Sequence, residues 1–360
     1  MQAEPTATKR VDSNFPAALV FGFAATYFAL LLLLALNPNY GYFLDELYYI
    51  ACAKRLDLGY VDHPPLAPVL LAINRAVLGD SLLAIRIPPA LCGAATIGLA
   101  GWLVWRLGGR RFAQVLTAVC IIGAPGFFAL FSIFSMNCFE ILIWTLMACL
   151  LFQLGRSGDE RPWLIVGALL GLAIQNKHTS LVFAASLAVA VVLSSSRRHL
   201  LGRPLWMGVA VSLLIVLPNL YWQIQHDFAS LEFYANVNRE ANVSTSMLSV
   251  VSGQIAVLNP AAFPVWVSGM YLLLISRRGQ HDRLLGWVLA ALFVALVLSG
   301  KSRPDRIAGA YPALFAAGAV QLEAIFARRG LRWLRIALPV AICAIAGIVA
   351  PVSVPILPPE

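Results

Sequence analysis

The sequence predicts an all-α polytopic membrane protein, and three observations carry that prediction. Apolar residues make up 60% of the 360-residue chain and charged residues only 12%, about half the charged share of an ordinary soluble domain. Mean hydropathy is +0.80. Continuous apolar runs long enough to cross ~30 Å of hydrocarbon recur from end to end, without the apolar–polar alternation of a membrane barrel. Backbone polar groups in lipid must be satisfied within the segment, so the runs read as helices.

About eleven crossings are expected. The first is Phe15–Leu36, preceded by Lys9 and Arg10, and a long outer loop over Asn37–Asp80 follows. Within that loop, Leu44–Leu58 and Leu66–Leu78 are apolar on one face and too short to span, so they read as interfacial helices. Span two is Ser81–Trp105, with Arg106, Arg110 and Arg111 behind it. Spans three and four, Phe112–Leu130 and Asn137–Leu154, form a hairpin broken at Pro125-Gly126. Trp163–Ile174 and Leu181–Leu193 are each short of a full crossing. Read as two crossings they keep Arg197, Arg198 and Arg203 on the face that carries the other arginine clusters; read as one helix they invert every later loop. Leu205–Trp222 is span seven, Gln223–Ser252 a second outer loop, and Ile255–Ile275 span eight. Leu284–Leu298, Ile307–Phe326 and Ile336–Ala350 complete the set, with the basic loop 300–306 between the first two. Residues 1–350 read as one transmembrane domain and 351–360 as a short tail.

The net charge of +9 follows from the clustering of Lys and Arg in one set of loops, the positive-inside pattern, and does not indicate nucleic acid. The six cysteines are scattered, without a CxxC pair or a disulfide framework. No Walker loop, GxSxG or glycine-rich nucleotide loop is present, so a soluble nucleotide substrate has no support. His63 follows Asp62 and His226 precedes Asp227, but neither pair has HxxxH-type ligand spacing; no metal site is assigned, and a divalent ion stays open.

The chemistry-bearing residues collect on the face poor in arginine clusters. Asp45 and Glu46 open the first interfacial helix and lie about 100° apart on it, so one can face a site while the other caps the helix or meets water. His63 sits in a rigid His-Pro-Pro corner. Glu140, near the outer end of an apolar hairpin, is costly in a membrane and points either to function or to an interhelical hydrogen bond. Lys177 and His178 occupy the junction of the two short spans, as site residues or as groups snorkelling to the interface. Lys301, Arg303 and Arg306 run against the positive-inside bias and suit an anionic partner; the alternative is a solvated turn with an internal Arg–Asp pair. Asn219, Trp222, Gln223, His226 and Asp227 suit either sugar stacking or an aromatic belt.

Taken in order, Asp45-Glu-Leu-Tyr-Tyr49, Gly59-Tyr-Val-Asp-His-Pro-Pro-Leu66, Met136-Asn-Cys-Phe-Glu140, Asn176-Lys-His-Thr179, the stretch from Leu217 to Asp227 and the stretch from Ala310 to Ala319 carry a resemblance. The chain resembles the bacterial family-39 glycosyltransferases, relatives of protein O-mannosyltransferases and lipid A aminoarabinose transferases, which share the C-type membrane glycosyltransferase (GT-C) fold. The resemblance implies an extracytoplasmic site on a plasma- or inner-membrane protein. It also implies a polyprenyl-phosphate-linked sugar donor and transfer with inversion to a lipid, glycan or protein acceptor. It makes Asp45 the expected general base and Glu140 a second acid. Beside it, the reading of the residues adds Glu46 as a secondary acid and Lys301, Arg303, Arg306 and Lys177 as the cations for the donor phosphate, with His63, His178 and Tyr311 as further substrate-binding residues. This chain has His63 where relatives often have Lys. Many relatives continue into a C-terminal extracytoplasmic domain, so a partner protein in its place is an expectation here. No cofactor beyond the donor is required if the cations stabilise the leaving phosphate. A transporter or flippase of a lipid-linked intermediate is the rival class, together with a non-catalytic membrane subunit; transporters place their ionisable groups near the midplane, often within inverted repeats.

Overall fold

The structure is a computed structural model describing residues 14–37, 41–240, 246–299 and 303–353. The described chain is helical, with no strand among these residues. In chain order the helices are α1 (Ala17–Ala35), α2 (Leu44–Lys54), α3 (Leu66–Leu78), α4 (Leu82–Arg106), α5 (Arg111–Ile122), α6 (Pro125–Ser132), α7 (Met136–Ser157), α8 (Pro162–Asn176), α9 (Ser180–Leu193), α10 (Arg203–Gln225), α11 (Ala229–Glu240), α12 (Met247–Val257), α13 (Phe263–Leu274), α14 (Arg283–Leu298), α15 (Tyr311–Arg328) and α16 (Leu334–Ser353). Seven are long and apolar enough to cross a membrane, and three bent pairs bring that to ten among the described residues. The 15-residue α8 is a further, shorter apolar helix. Each of the eleven expected crossings therefore has a helix.

One break falls where expected and one boundary differs. Span three is bent by 64° between α5 and α6, where Pro125 opens a new helix and removes a backbone donor. Span eight starts at Phe263 rather than Ile255, because α12 and the segment Pro260–Leu274 meet at 99°. Asn259 makes that corner in a left-handed backbone conformation, and its side-chain amide donates to the carbonyls of Gly123 and Ile342 at 2.9 Å each. The short spans α8 and α9 form a hairpin: Trp163, at the start of α8, donates to His199, beyond the end of α9, at 3.2 Å. Two crossings, not one, are the arrangement, and Arg197 and Arg198 return to the end where Arg161 lies.

The core forms around α4, α7 and α15. In α15, 72% of the apolar stretch is buried, against 6% in α16, so α15 is central and α16 lies at the rim. Small residues let helices approach without separating their backbones. A Cβ on Gly318 of α15 would stand 1.8 Å from the Val265 carbonyl oxygen of α13, and one on Gly167 of α8 would stand 2.0 Å from the Gly208 carbonyl oxygen of α10.

Helices α2 and α3 are not core elements. Leu44, Leu47, Tyr48 and Leu58 on the apolar stripe of the first segment are exposed, as are Ile73 and Val77 on the second. Their protein-facing sides carry Glu46, Tyr49 and Ala53, and Ala67, Pro68 and Leu71. Apolar stripes that face away from the bundle fit helices lying in an interface. The first helix ends at Lys54, four residues before the expected Leu58.

Candidate active site

The loops from five parts of the chain meet at the end of the bundle opposite the arginine clusters. The segment 41–66 is tied down first. Asn219 of α10 donates to the Leu58 carbonyl at 3.0 Å, Ser230 donates to Tyr60 at 3.2 Å, and the Tyr234 hydroxyl donates to Asp62 at 2.8 Å. Gly59 is required at the contact, since a Cβ there would lie 2.7 Å from the Trp222 ring. Trp222 is buried by this contact and its other face stacks on His226 at 4.0 Å. Asn219, Trp222 and His226 therefore dock the loop; they neither present a sugar platform nor form an exposed aromatic belt. Gln223 is likewise engaged, by Ser230 at 2.6 Å.

Glu46 and Asp45 have different fates. Glu46 is fully buried at the third position of α2 and accepts four hydrogen bonds. They come from Phe43 N at 2.8 Å, Phe134 N at 3.0 Å, and Arg86 Nε and Nη2 at 3.0 and 2.9 Å. It caps its own helix, pins the turn before α7 and neutralises a buried arginine of α4. These four bonds occupy the lone pairs of both carboxylate oxygens. Asp45 is exposed and makes no side-chain bond among the described residues. It sits one turn above Tyr49, which stacks on His63 at 4.8 Å and meets Phe134.

Glu140 and Lys177 come together directly. The Lys177 ammonium donates to Glu140 at 2.8 Å and to Asn137 at 2.7 Å, and the Thr179 hydroxyl donates to the other Glu140 oxygen. Both charges are buried, and an ammonium has three donors, so one N–H of Lys177 remains. Ser135 caps α7 and sets the depth of Glu140 within it. Beside this pair, a cavity of about 120 Å³ is walled by Trp144, Thr179, Leu292 and Arg306. Val182, Ala295, Leu296 and Ile307 complete a mostly apolar wall, in which Thr179, Ser299 and Arg306 are the polar groups. Arg306 makes no side-chain hydrogen bond among the described residues.

His63 is buried, and its Nδ1 lies 2.9 Å from the Pro64 carbonyl, an acceptor only, so Nδ1 carries a proton. Its Nε2 is buried without a partner, 3.9 Å from Asp62. His178 lies close to His63 and is bonded to Tyr234 at 3.1 Å; burial holds its pKa below the ordinary value. Tyr48 donates to Asp62 at 2.6 Å. Burial first, and then the Asp62 carboxylate, push the Tyr48 phenol up, and burial pushes Tyr234 up to about 12, so both stay protonated donors.

Two expected substrate-binding residues, Tyr311 and Arg303, are engaged by other partners. Tyr311 is buried against Trp266 and Phe315 and donates to Gln254 at 2.7 Å, inside the core. Arg303 is exposed and held by Asp305 at 3.1 Å, the internal pair of a solvated turn. Lys301 lies outside the described residues. Sequence reasoning missed Arg86, Tyr48 and Tyr234. Arg86 had a signal: it is the only charge between Ser81 and Trp105, and a lone cation in an apolar span requires a partner. Among the described residues no three His, Cys, Asp or Glu side chains are grouped as metal ligands.

Known proteins agree with this architecture. Residues 62–222 match the family model for dolichyl-phosphate-mannose-protein mannosyltransferases. The chain is 26% identical over 266 residues to the lipid A galacturonosyltransferase RgtD of Rhizobium johnstonii, covering 71% of this chain and 55% of that protein. The crystal structure of ArnT from Cupriavidus metallidurans bound to undecaprenyl phosphate superposes with a TM-score of 0.71 at 20% identity, over 93% of this chain and 65% of that one. The apo structure of the same protein gives 0.70 at 21% identity, over 96% and 66%. This chain thus spans between half and two thirds of the length of the relatives it matches. The chain shares the fold of these solved structures, the GT-C membrane fold that its motifs lead one to expect.

Proposed function

We propose that this protein is a membrane glycosyltransferase that moves a sugar from a polyprenyl-phosphate donor to an acceptor outside the cytoplasm, with inversion. The observation that carries the proposal is the buried Glu140–Lys177–Thr179 network with its spare Lys177 N–H, next to Arg306 in the cavity that Thr179 also lines. The relatives support the same reading. One is a lipid A galacturonosyltransferase and another was crystallised with undecaprenyl phosphate, so a lipid acceptor of the lipid A type is the first to test. The arginine-rich end belongs in the cytoplasm of an inner-membrane protein, and the Asp45 end outside it.

In this mechanism the acceptor hydroxyl gives its proton to Asp45 and attacks the anomeric carbon of the donor. The bond from that carbon to the phosphate oxygen breaks, and polyprenyl phosphate leaves with the electron pair. Arg306 and the remaining N–H of Lys177 meet the charge that develops on the phosphate. Glu140 orients Lys177. Asp45 is accessible to a base's task; Glu46 holds its helix in place. The cations supply charge to the leaving phosphate without a cofactor beyond the donor, and turnover measured with and without a chelator tests whether a divalent ion takes part.

The test is the purified protein with a radiolabelled polyprenyl-phosphate sugar and a lipid A acceptor. Label moving to the acceptor supports the reading. Label crossing the bilayer of a proteoliposome without transfer makes the protein a flippase, and neither event makes it a non-catalytic subunit.

A further inference from the structure

At the opposite end of the bundle from Asp45, a cavity of about 1000 Å³ lies among the start of α5, the ends of α7 and α15, the start of α16 and the turn before α14. Arg110, Arg111, Arg156, Arg278, Arg328 and Arg335 line it, against two carboxylates, Asp282 and Glu323. Both acids are already engaged. Arg156 holds Asp282 through two bonds of 2.8 Å, and Glu323 accepts the backbone N–H of Arg110 at 2.8 Å. Among the described residues, Arg110, Arg111, Arg278 and Arg328 form no ion pair through their side chains. Two polar atoms of the wall are buried without a partner: Arg335 Nε and Gln321 Oε1.

The positive-inside rule accounts for arginines in these loops. It does not account for their convergence on one concave space, nor for a buried guanidinium N–H with no acceptor. An anion in the cavity satisfies both. The walls also say which source of anion fits. Arg335 rests on the Phe112 ring at 5.6 Å, and it stands at the head of α16, the least buried of the long spans. Its neighbours Trp333 and Ile336 are 65% and 71% exposed, so the cavity is flanked by a lipid-facing surface rather than closed by protein. Basic pockets between transmembrane helices are the recognised form of an anionic-lipid headgroup site.

We propose that this cavity binds the phosphate of an anionic phospholipid headgroup from the leaflet on the arginine-rich side, with the acyl chains running along α16. This is independent of the transferase reading, because none of these residues belongs to the candidate active site.

The full-length protein, purified in mild detergent and stripped of lipid, is titrated with phosphatidylglycerol and, in parallel, with phosphatidylcholine, with bound lipid counted by native mass spectrometry. The variant Arg110→Gln/Arg328→Gln changes two exposed side chains and should weaken phosphatidylglycerol binding about tenfold or more, the scale of lost charge-assisted contacts. Arg328→Gln alone should give a smaller loss in the same direction, and serves if the double variant is unstable. The control Arg197→Gln/Arg198→Gln removes two exposed arginines of the 3-10 turn Ser195–Leu201 that do not line this cavity, and should leave binding within about twofold. An equal loss in the control overturns the site and leaves only a generally basic face. Equal affinity for phosphatidylcholine overturns it as well. Inorganic diphosphate displacing the lipid at micromolar concentration would make the cavity a site for a soluble anion instead.

Discussion

Removing Arg86 should unfold the corner that supports the candidate site. Arg86 supplies two of the four hydrogen bonds that Glu46 accepts, and the Glu46 carboxylate has no exposed surface. In Arg86→Met the carboxylate keeps only the N–H groups of Phe43 and Phe134 and loses its buried countercharge. An uncompensated buried charge of this kind costs about 3–5 kcal/mol. Spread over a chain of this size, that is a fall in melting temperature of about 4–7 °C. Glu46→Leu/Arg86→Met removes both charges and should recover part of the loss. Recovery stays incomplete because the Phe43 and Phe134 N–H groups are then orphaned, at about 1 kcal/mol or more each. The assay is thermal unfolding of the two single variants and the double variant in one detergent. An Arg86→Met protein that melts with the wild type would refute the claim that Glu46 is structural, and would return it to the list of catalytic acids.

Three further outcomes follow from the same structure. Gly318→Ala should destabilise by about 2–3 kcal/mol through separation of α13 and α15, whereas Gly347→Ala, with nothing within 4 Å of the new Cβ, should be neutral or slightly stabilising by differential scanning fluorimetry. Burial depresses the pKa of His178 below its ordinary 6.5, so the folded protein favours the neutral ring; stability present above pH 6.5 should be lost as pH falls through the folded value, and a His178→Gln variant should show a flatter pH profile of melting. Arg306→Gln should weaken binding of polyprenyl phosphate by about 1–3 kcal/mol, and Arg303→Gln, already satisfied by Asp305 and exposed, by much less; equal effects would remove the small cavity from the account.

The spans were legible because hydropathy is a property of each segment alone. Even the two short pieces α8 and α9 could be separated by the charge they leave on either side. The two kinks were unequally legible. The Pro125 break is written in the sequence, but the 99° corner depends on Asn259 finding two carbonyls from remote helices. In the site, residue type identified the acids and cations but not their partners. Adjacent Asp45 and Glu46 look equivalent in the sequence; one is exposed and the other has four donors, because the helix turns 100° between them and only one side meets Arg86. Tyr311 shows the opposite failure. Its motif suggested substrate contact, and the side chain packs in the core on Trp266. Trp222 likewise looks like a sugar platform in one dimension and is a docking surface for Gly59 in three.

The central claim is that Asp45 is the general base of a sugar transfer, and its sharpest test is the transfer rate of Asp45→Asn at saturating polyprenyl-phosphate sugar. Asparagine keeps the shape and removes the basicity, and Asp45 makes no side-chain bond whose loss would disturb the fold. The account predicts a fall in turnover of about 10²–10⁴-fold with donor affinity and melting temperature unchanged. A variant that transfers sugar at close to the wild-type rate would contradict it.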